Sequence, residues 1–133
     1  MAVCLTILGE PASKANSRRL VTIHDRPASI KSRKALDYEG DARQQIPPKA
    51  RLRLEGPVCV TLHLYYRTQR PDLDESIVLD VLQDQFSRTN PRYLMQSGVY
   101  RNDRQVREKH VFHYIDAENP RAEIVVEELP PFP

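Results

Sequence analysis

From Val58 to Arg67 the chain alternates without a break, with Val58, Val60, Leu62, Leu64 and Tyr66 at one parity and Cys59, Thr61, His63, Tyr65 and Arg67 at the other. A period of two sends successive side chains to opposite faces, so this stretch predicts a half-buried strand with one wholly apolar face. The period then changes. Ile77, Val78, Val81 and Leu82, with Gln85 as a further position, recur at helical spacing and predict a helix from Asp74 to Gln85. A strand with one apolar face followed at once by an amphipathic helix predicts mixed helix and strand content; the fold expected is α+β, a mixed or antiparallel sheet packed by two main helices. With 133 residues, one core of that kind is expected. The domain is read as residues 1–129, closed by a proline-rich tail at 130–133.

The strand-to-helix junction carries Asp72, Asp74 and Glu75 within four positions. A straight strand would hold residues 72 and 74 roughly 7 Å apart on one face, whereas a junction can turn both carboxylates toward one point. Convergent carboxylates suit a hard cation such as magnesium, which takes oxygen ligands and keeps part of its water shell. The structural alternative is capping: Asp is favoured at helix N-termini, and acids there are stabilised by the macrodipole. A cap uses one acid, and the neighbouring acids add like-charge repulsion that capping does not require.

Charge is unevenly divided. Residues 1–71 hold 13 Lys plus Arg against 6 Asp plus Glu, a net +7, and residues 72–133 hold 7 against 12, a net −5. A basic half beside an acidic cluster is the footprint of a polyanion handled at a metal site. No apolar run reaches membrane-span length, and the stretch before Gly9 lacks the basic start of a signal peptide, so a soluble intracellular protein is expected. Cys4 and Cys59 sit in strand patterns with no CxxC spacing and are read as buried thiols. His110 and His113, three apart in a strand pattern, fall on opposite faces.

Elsewhere, strands are expected at Val3 to Leu8, at Leu20 to Ile23, over Val106 to Ile115 and around Ala122 to Val126. A polar helix is expected from Ser29 to Gln45, with Ile30, Lys34, Asp37, Tyr38 and Ala42 on one face. Lys31, Arg33 and Lys34 would then lie at its start, where the dipole disfavours cations. The polar loop from Ser13 to Arg19 supplies Lys14, Arg18 and Arg19 for phosphate contacts. Phe86 to Ser97 has no steady period and reads as a loop or a poorly ordered insertion, with Arg88, Arg92 and Tyr93 able to touch phosphate or stack on a base. Asn102-Asp103 is ordinary turn chemistry.

Taken together, these segments resemble the RusA family of Holliday-junction resolvases. The resemblance is carried by Pro11-Ala12-Ser13-Lys14 with Arg18-Arg19, by Arg70-Pro71-Asp72-Leu73-Asp74 opening a helix that runs to Leu82, by Gly98-Val99-Tyr100, by Asn102-Asp103-Arg104-Gln105-Val106, and by Pro120-Arg121-Ala122-Glu123-Ile124. It implies a cytoplasmic protein of bacteria or prophages, a homodimer of α+β subunits that nicks opposing strands of four-way DNA junctions with magnesium and no small-molecule cofactor. Asp72, Asp74 and Asp103 match the family's metal site. Glu75 and Arg104 are auxiliary candidates, and Lys14, Arg18, Arg19, Lys31, Arg33, Lys34, Arg67 and Arg70 are candidate DNA contacts. Two positions depart from the family, Glu75 where Asn is common and Val78 where a lysine is common. Either Arg104, Lys14 or Arg70 supplies the missing charge, or the chain binds junctions without cutting them. Residues 83–97 are also longer than the family's usual connection.

Overall fold

The computed structural model describes residues 2–12, 18–70 and 73–131. In chain order the elements are β1 (Ala2–Leu8), β2 (Arg18–Ile23), β3 (Arg26–Lys31), α1 (Arg33–Gln45), a 3-10 turn (Pro48–Ala50), β4 (Val58–Tyr66) and α2 (Ser76–Leu82). They continue with β5 (Gln85–Phe86), β6 (Leu94–Gln96), a second 3-10 turn (Asp103–Gln105), β7 (Val106–Ile115) and β8 (Arg121–Glu128). The main sheet has the order β1-β8-β4-β7. In it β8 runs antiparallel to both β1 and β4, and β7 runs parallel to β4. This is a small mixed α+β architecture, in which β4 is central.

The alternation in β4 does what its spacing predicts. Val58, Val60, Leu62, Leu64 and Tyr66 are all buried, and α1 and α2 cover that face through Ala35, Tyr38 and Ala42 and through Ile77, Val78, Val81 and Leu82. Cross-strand register continues the core into β8 and β1: Val60 faces Val126, Leu62 faces Ile124, and Leu5 faces Ile124 from the other side. Each fully buried Val, Leu or Ile side chain contributes about 1.5–3 kcal/mol relative to exposure. The outer face of the sheet is instead polar and aromatic. His63 stacks on Phe112 with ring centroids 5.0 Å apart, Tyr65 stacks on Tyr114 at 4.7 Å, and the Arg121 guanidinium lies 3.8 Å over the Tyr65 ring.

Several boundaries differ from the sequence pattern. The residues from Ser29 to Lys31, expected to begin a helix, pair as strand with Arg18, Arg19 and Leu20. The helix starts only at Arg33, where the Ser32 hydroxyl accepts the Ala35 N–H at 3.1 Å. The β2-β3 hairpin turns through His24 and Asp25, both in the left-handed region at φ 49° and 61°, a conformation that Asp and His tolerate better than most. Helix α2 spans seven residues and stops at Leu82, because Asp84 is taken up by tertiary hydrogen bonds and Gln85 pairs with Gln96 in a short hairpin. Cys4, expected buried, is exposed, and Cys59 is half-buried, because both fall at the outer parity of their strands.

Candidate active site

Helix α2 is the spine on which the candidate acids are placed. At its start the Asp74 Oδ1 accepts the Ser76 N–H at 3.0 Å, so this acid does take part in holding the helix N-terminus. Glu75, the N-cap residue, directs its carboxylate to the Lys109 ammonium on β7, with Oε1 2.6 Å from Nζ. Six residues beyond Asp74, roughly 9 Å of helical rise, comes Asp80.

Asp103 reaches α2 from a turn that is tightly organised by its neighbours. The Asn102 side chain accepts the Arg104 N–H at 2.9 Å, and Gln105 Oε1 accepts the N–H groups of Arg101 and Asn102 at 2.9 and 2.8 Å, a reciprocal capping box. Gln105 Nε2 donates to the carbonyls of Leu54 and Gly56 at 2.7 and 2.8 Å, which fixes the turn to the segment before β4. The Asp103 N–H donates to Gln83 Oε1 at 3.0 Å. Upstream, the buried Tyr100 hydroxyl donates to the Leu79 carbonyl at 2.7 Å, and the Val99 N–H donates to the Leu82 carbonyl at 2.8 Å. The Gly98-Val99-Tyr100 and Asn102-to-Val106 segments are therefore the clamps that deliver Asp103 to the C-terminal half of α2.

There the Asp103 carboxyl lies within hydrogen-bonding reach of the Asp80 carboxyl. Burial pushes Asp80 above the usual carboxylate range, and Asp103 and Glu39 push the same way against the opposing Lys31 ammonium. Lys31, on β3, sits 3.9 Å from Asp80 Oδ2 and 2.5 Å from Glu39 Oε1, while Arg43 Nη1 lies 3.4 Å from the other oxygen of buried Glu39. Burial, then the charges of Asp103 and Asp80, also push the Tyr100 phenol upward, so it remains a neutral donor.

The structure thus pairs Asp103 with Asp80, a residue to which the sequence reading gave no role. The available signal was the break that Asp80 makes in an otherwise apolar run, Leu79-Asp80-Val81-Leu82. Lys109 was also missed; it is a charged residue at the inner parity of β7, opposite Val60. Asp74 and Glu75 belong instead to the other end of α2, beside Tyr66. The Tyr66 hydroxyl is pushed up to about 12 by burial, with Glu10, Asp74 and Glu75 adding to the shift and Arg70 opposing it. Arg70 lines a cleft of about 440 Å³ with Tyr66, Gln69, Leu73 and His113.

Asp72 and Lys14 lie outside the described residues. Among the described residues no group of three or more His, Cys, Asp or Glu side chains is gathered for a metal ion. The Asp80–Asp103 pair nonetheless suits a hard divalent cation, because two carboxylates in contact repel when both are ionised and a dication between them reverses that cost.

The basic candidates divide by what they touch. Arg18 is tied across its hairpin, donating to Ser29 Oγ at 3.1 Å and to the Ser29 carbonyl at 2.6 Å. Arg33 pairs with Asp37 at 3.3 Å, and Arg67 donates to the Ala117 carbonyl at 3.2 Å. Arg19, Lys34 and Arg104 are exposed. Lys31 is not at a helix start but inside the acid cluster, which separates it from the surface cations. Val78 is 1% exposed and packed in the core.

No protein-family model matches the chain, and no curated protein matches it.

Proposed function

We propose that this chain is a magnesium-dependent endonuclease that nicks branched DNA, with four-way junctions as its preferred substrate. The carrying observation is the meeting of the Asp103 and Asp80 carboxyls beside α2, with Asp103 exposed and Asp80 backed by the Lys31–Glu39 pair. Asp80 and Asp103 would hold the ion; Asp74, at the other end of α2 and roughly 9 Å of helical rise away, is out of reach of the same ion. Bound there, magnesium supplies an activated water and neutralises charge on the phosphoryl oxygens. The chain's own part is to fix the carboxylates: the Asn102–Gln105 capping box sets Asp103, and the α2 backbone sets Asp80.

Support for a DNA substrate comes from the net +7 of residues 1–71, which includes Arg19 and Lys34 on the surface. Support for a RusA-type dimer and for junctions comes from the resemblance in the Asp72-Leu73-Asp74 and Asn102-to-Val106 segments. Opposing strands of a four-way junction require two sites related by symmetry. The burial of Val78 favours, as a second reading, a junction binder that does not cut.

The test is cleavage of a labelled four-way junction beside linear duplex, with magnesium and with chelator, for the wild type and for Asp103→Asn. Paired, magnesium-dependent nicks at the junction are expected, with a loss of about 100-fold or more in the variant and unchanged junction binding. Junction binding without nicks in the wild type selects the binder, and equal cutting by wild type and variant would overturn the site.

A further inference from the structure

The β5–β6 hairpin contributes no residue to the hydrophobic core. Phe86, Tyr93 and Met95 on it are 45%, 62% and 60% exposed, while Leu94 is half-buried. From Gln85 to Ser97 it has two arginines, Arg88 and Arg92, and no acid. Both arginines are exposed.

The hairpin is also held in shape. Its tip is organised by its own groups: the Ser87 N–H donates to the Tyr93 carbonyl at 3.0 Å, the Tyr93 N–H to the Asn90 carbonyl at 2.9 Å, and the Arg92 N–H to Asn90 Oδ1 at 3.3 Å. Its base is closed by Asp84, whose carboxylate accepts the Gly98 N–H at 2.8 Å and a forked pair of donors from Arg53 at 3.0 and 2.8 Å. In sequence, Asp80 lies four residues before Asp84 and Asp103 lies five residues after Gly98. The two strands of the hairpin therefore leave from, and return to, the segments that carry the two facing carboxyls.

Resting on the endonuclease reading, we propose that this hairpin is a wedge that enters an open DNA branch point, with Phe86 and Tyr93 stacking on unpaired bases and Arg88 and Arg92 on the flanking phosphates. Exposed aromatics interleaved with cations are what unstacked nucleic acid recognises: aromatic faces accept any base, and arginines neutralise the backbone. A second copy of the chain is a poorer occupant. In a two-fold contact this patch would meet itself and oppose arginines to arginines with no acid on the hairpin to offset them.

The experiment uses full-length protein and a four-way junction with 2-aminopurine at the branch point, in chelator so that binding is read without cutting. Wild type is expected to raise 2-aminopurine fluorescence, as unstacking does. Phe86→Ala/Tyr93→Ala should lose that signal and about tenfold in junction affinity while keeping duplex affinity. Arg88→Ala/Arg92→Ala should flatten the salt dependence of junction binding by about two in log–log slope. Because all four side chains are exposed, both variants are expected to unfold at the wild-type urea midpoint. Junction binding by wild type with no fluorescence change, or a double aromatic variant with an unaltered signal, would overturn the wedge and leave the endonuclease reading standing. A change of oligomeric state in the aromatic variant with the fluorescence signal intact would assign the patch to self-association and overturn it as well. If wild type neither binds nor cuts junction DNA, the endonuclease reading fails, and the wedge with it.

Discussion

The carboxylate of Asp84 accepts the backbone N–H of Gly98 at 2.8 Å, closing a loop of fourteen residues with one buried hydrogen bond. The Asp84 side chain is 1% exposed, and its charge is met by the Arg53 guanidinium, which is held above its ordinary value by its hydrogen bond to Asp84 first and by the charges of Asp84 and Glu55, against the opposing effect of burial. The bond sits where α2, the hairpin and the segment leading to Tyr100 meet. It fixes the direction of the hairpin and the path by which Asp103 returns to α2.

Asp84→Ala should therefore destabilise the protein by about 2 kcal/mol or more, since it leaves the Gly98 N–H unpaired in a buried place. Gly98→Ala should do as much by another route. A Cβ at Gly98 would come 2.7 Å from the Asp84 nitrogen and overlap the backbone of Leu82 and Gln83. Overpacking of that kind costs about 1–3 kcal/mol. Urea unfolding checks both, and a midpoint within error of wild type for either variant contradicts the clamp.

Val78→Lys tests whether a lysine can stand at this position of the helix. Val78 packs within the core that also holds Ile77, Val81 and Leu82. An ammonium there must be desolvated or neutralised, at a cost of several kcal/mol. The expected outcome is a variant that is largely unfolded or melts far below wild type by circular dichroism. A folded Val78→Lys that cuts junctions faster than wild type would show that position 78 faces the site.

Asp116 gives a pH dependence of defined sign. Its carboxylate accepts from Arg121 Nη1 at 2.9 Å and from the Asn119 N–H at 3.1 Å, and these bonds, Arg121 first, hold it below its ordinary value of 3.8. A carboxyl with a lowered folded pKa adds stability above its unfolded value and loses that contribution as pH falls through the folded value. Asp116→Asn should be less stable than wild type above pH ~5, and the gap should close toward pH ~2. A gap of constant size across that range would show that the loss is not electrostatic.

The division between what the chain announces and what it conceals follows from the range of each interaction. Alternation in β4, and the shorter patterns in β1 and β8, are local periods, and a strand buried on one face must follow them. For the same reason the core face, the helical stripe of Ile77, Val78, Val81 and Leu82, and an acid-rich entry to α2 were all legible in sequence. Ser29 to Lys31 was misread because a polar stretch has no period to declare. Only pairing with Arg18, Arg19 and Leu20 makes it a strand and carries Lys31 to Glu39 and Asp80.

The partner of Asp103 could not be read at all. It depends on β7 returning parallel to β4 and on clamps made by Tyr100, Gln83 and Gln105, contacts between residues that spacing does not relate. By itself the sequence determined which faces are apolar and where acids gather, because hydrophobic periodicity acts over one or two turns of chain. Tertiary structure alone decided which carboxyl meets which and that the insertion at 85–97 is an ordered hairpin, because those follow from the order of strands in the sheet and from a few buried hydrogen bonds.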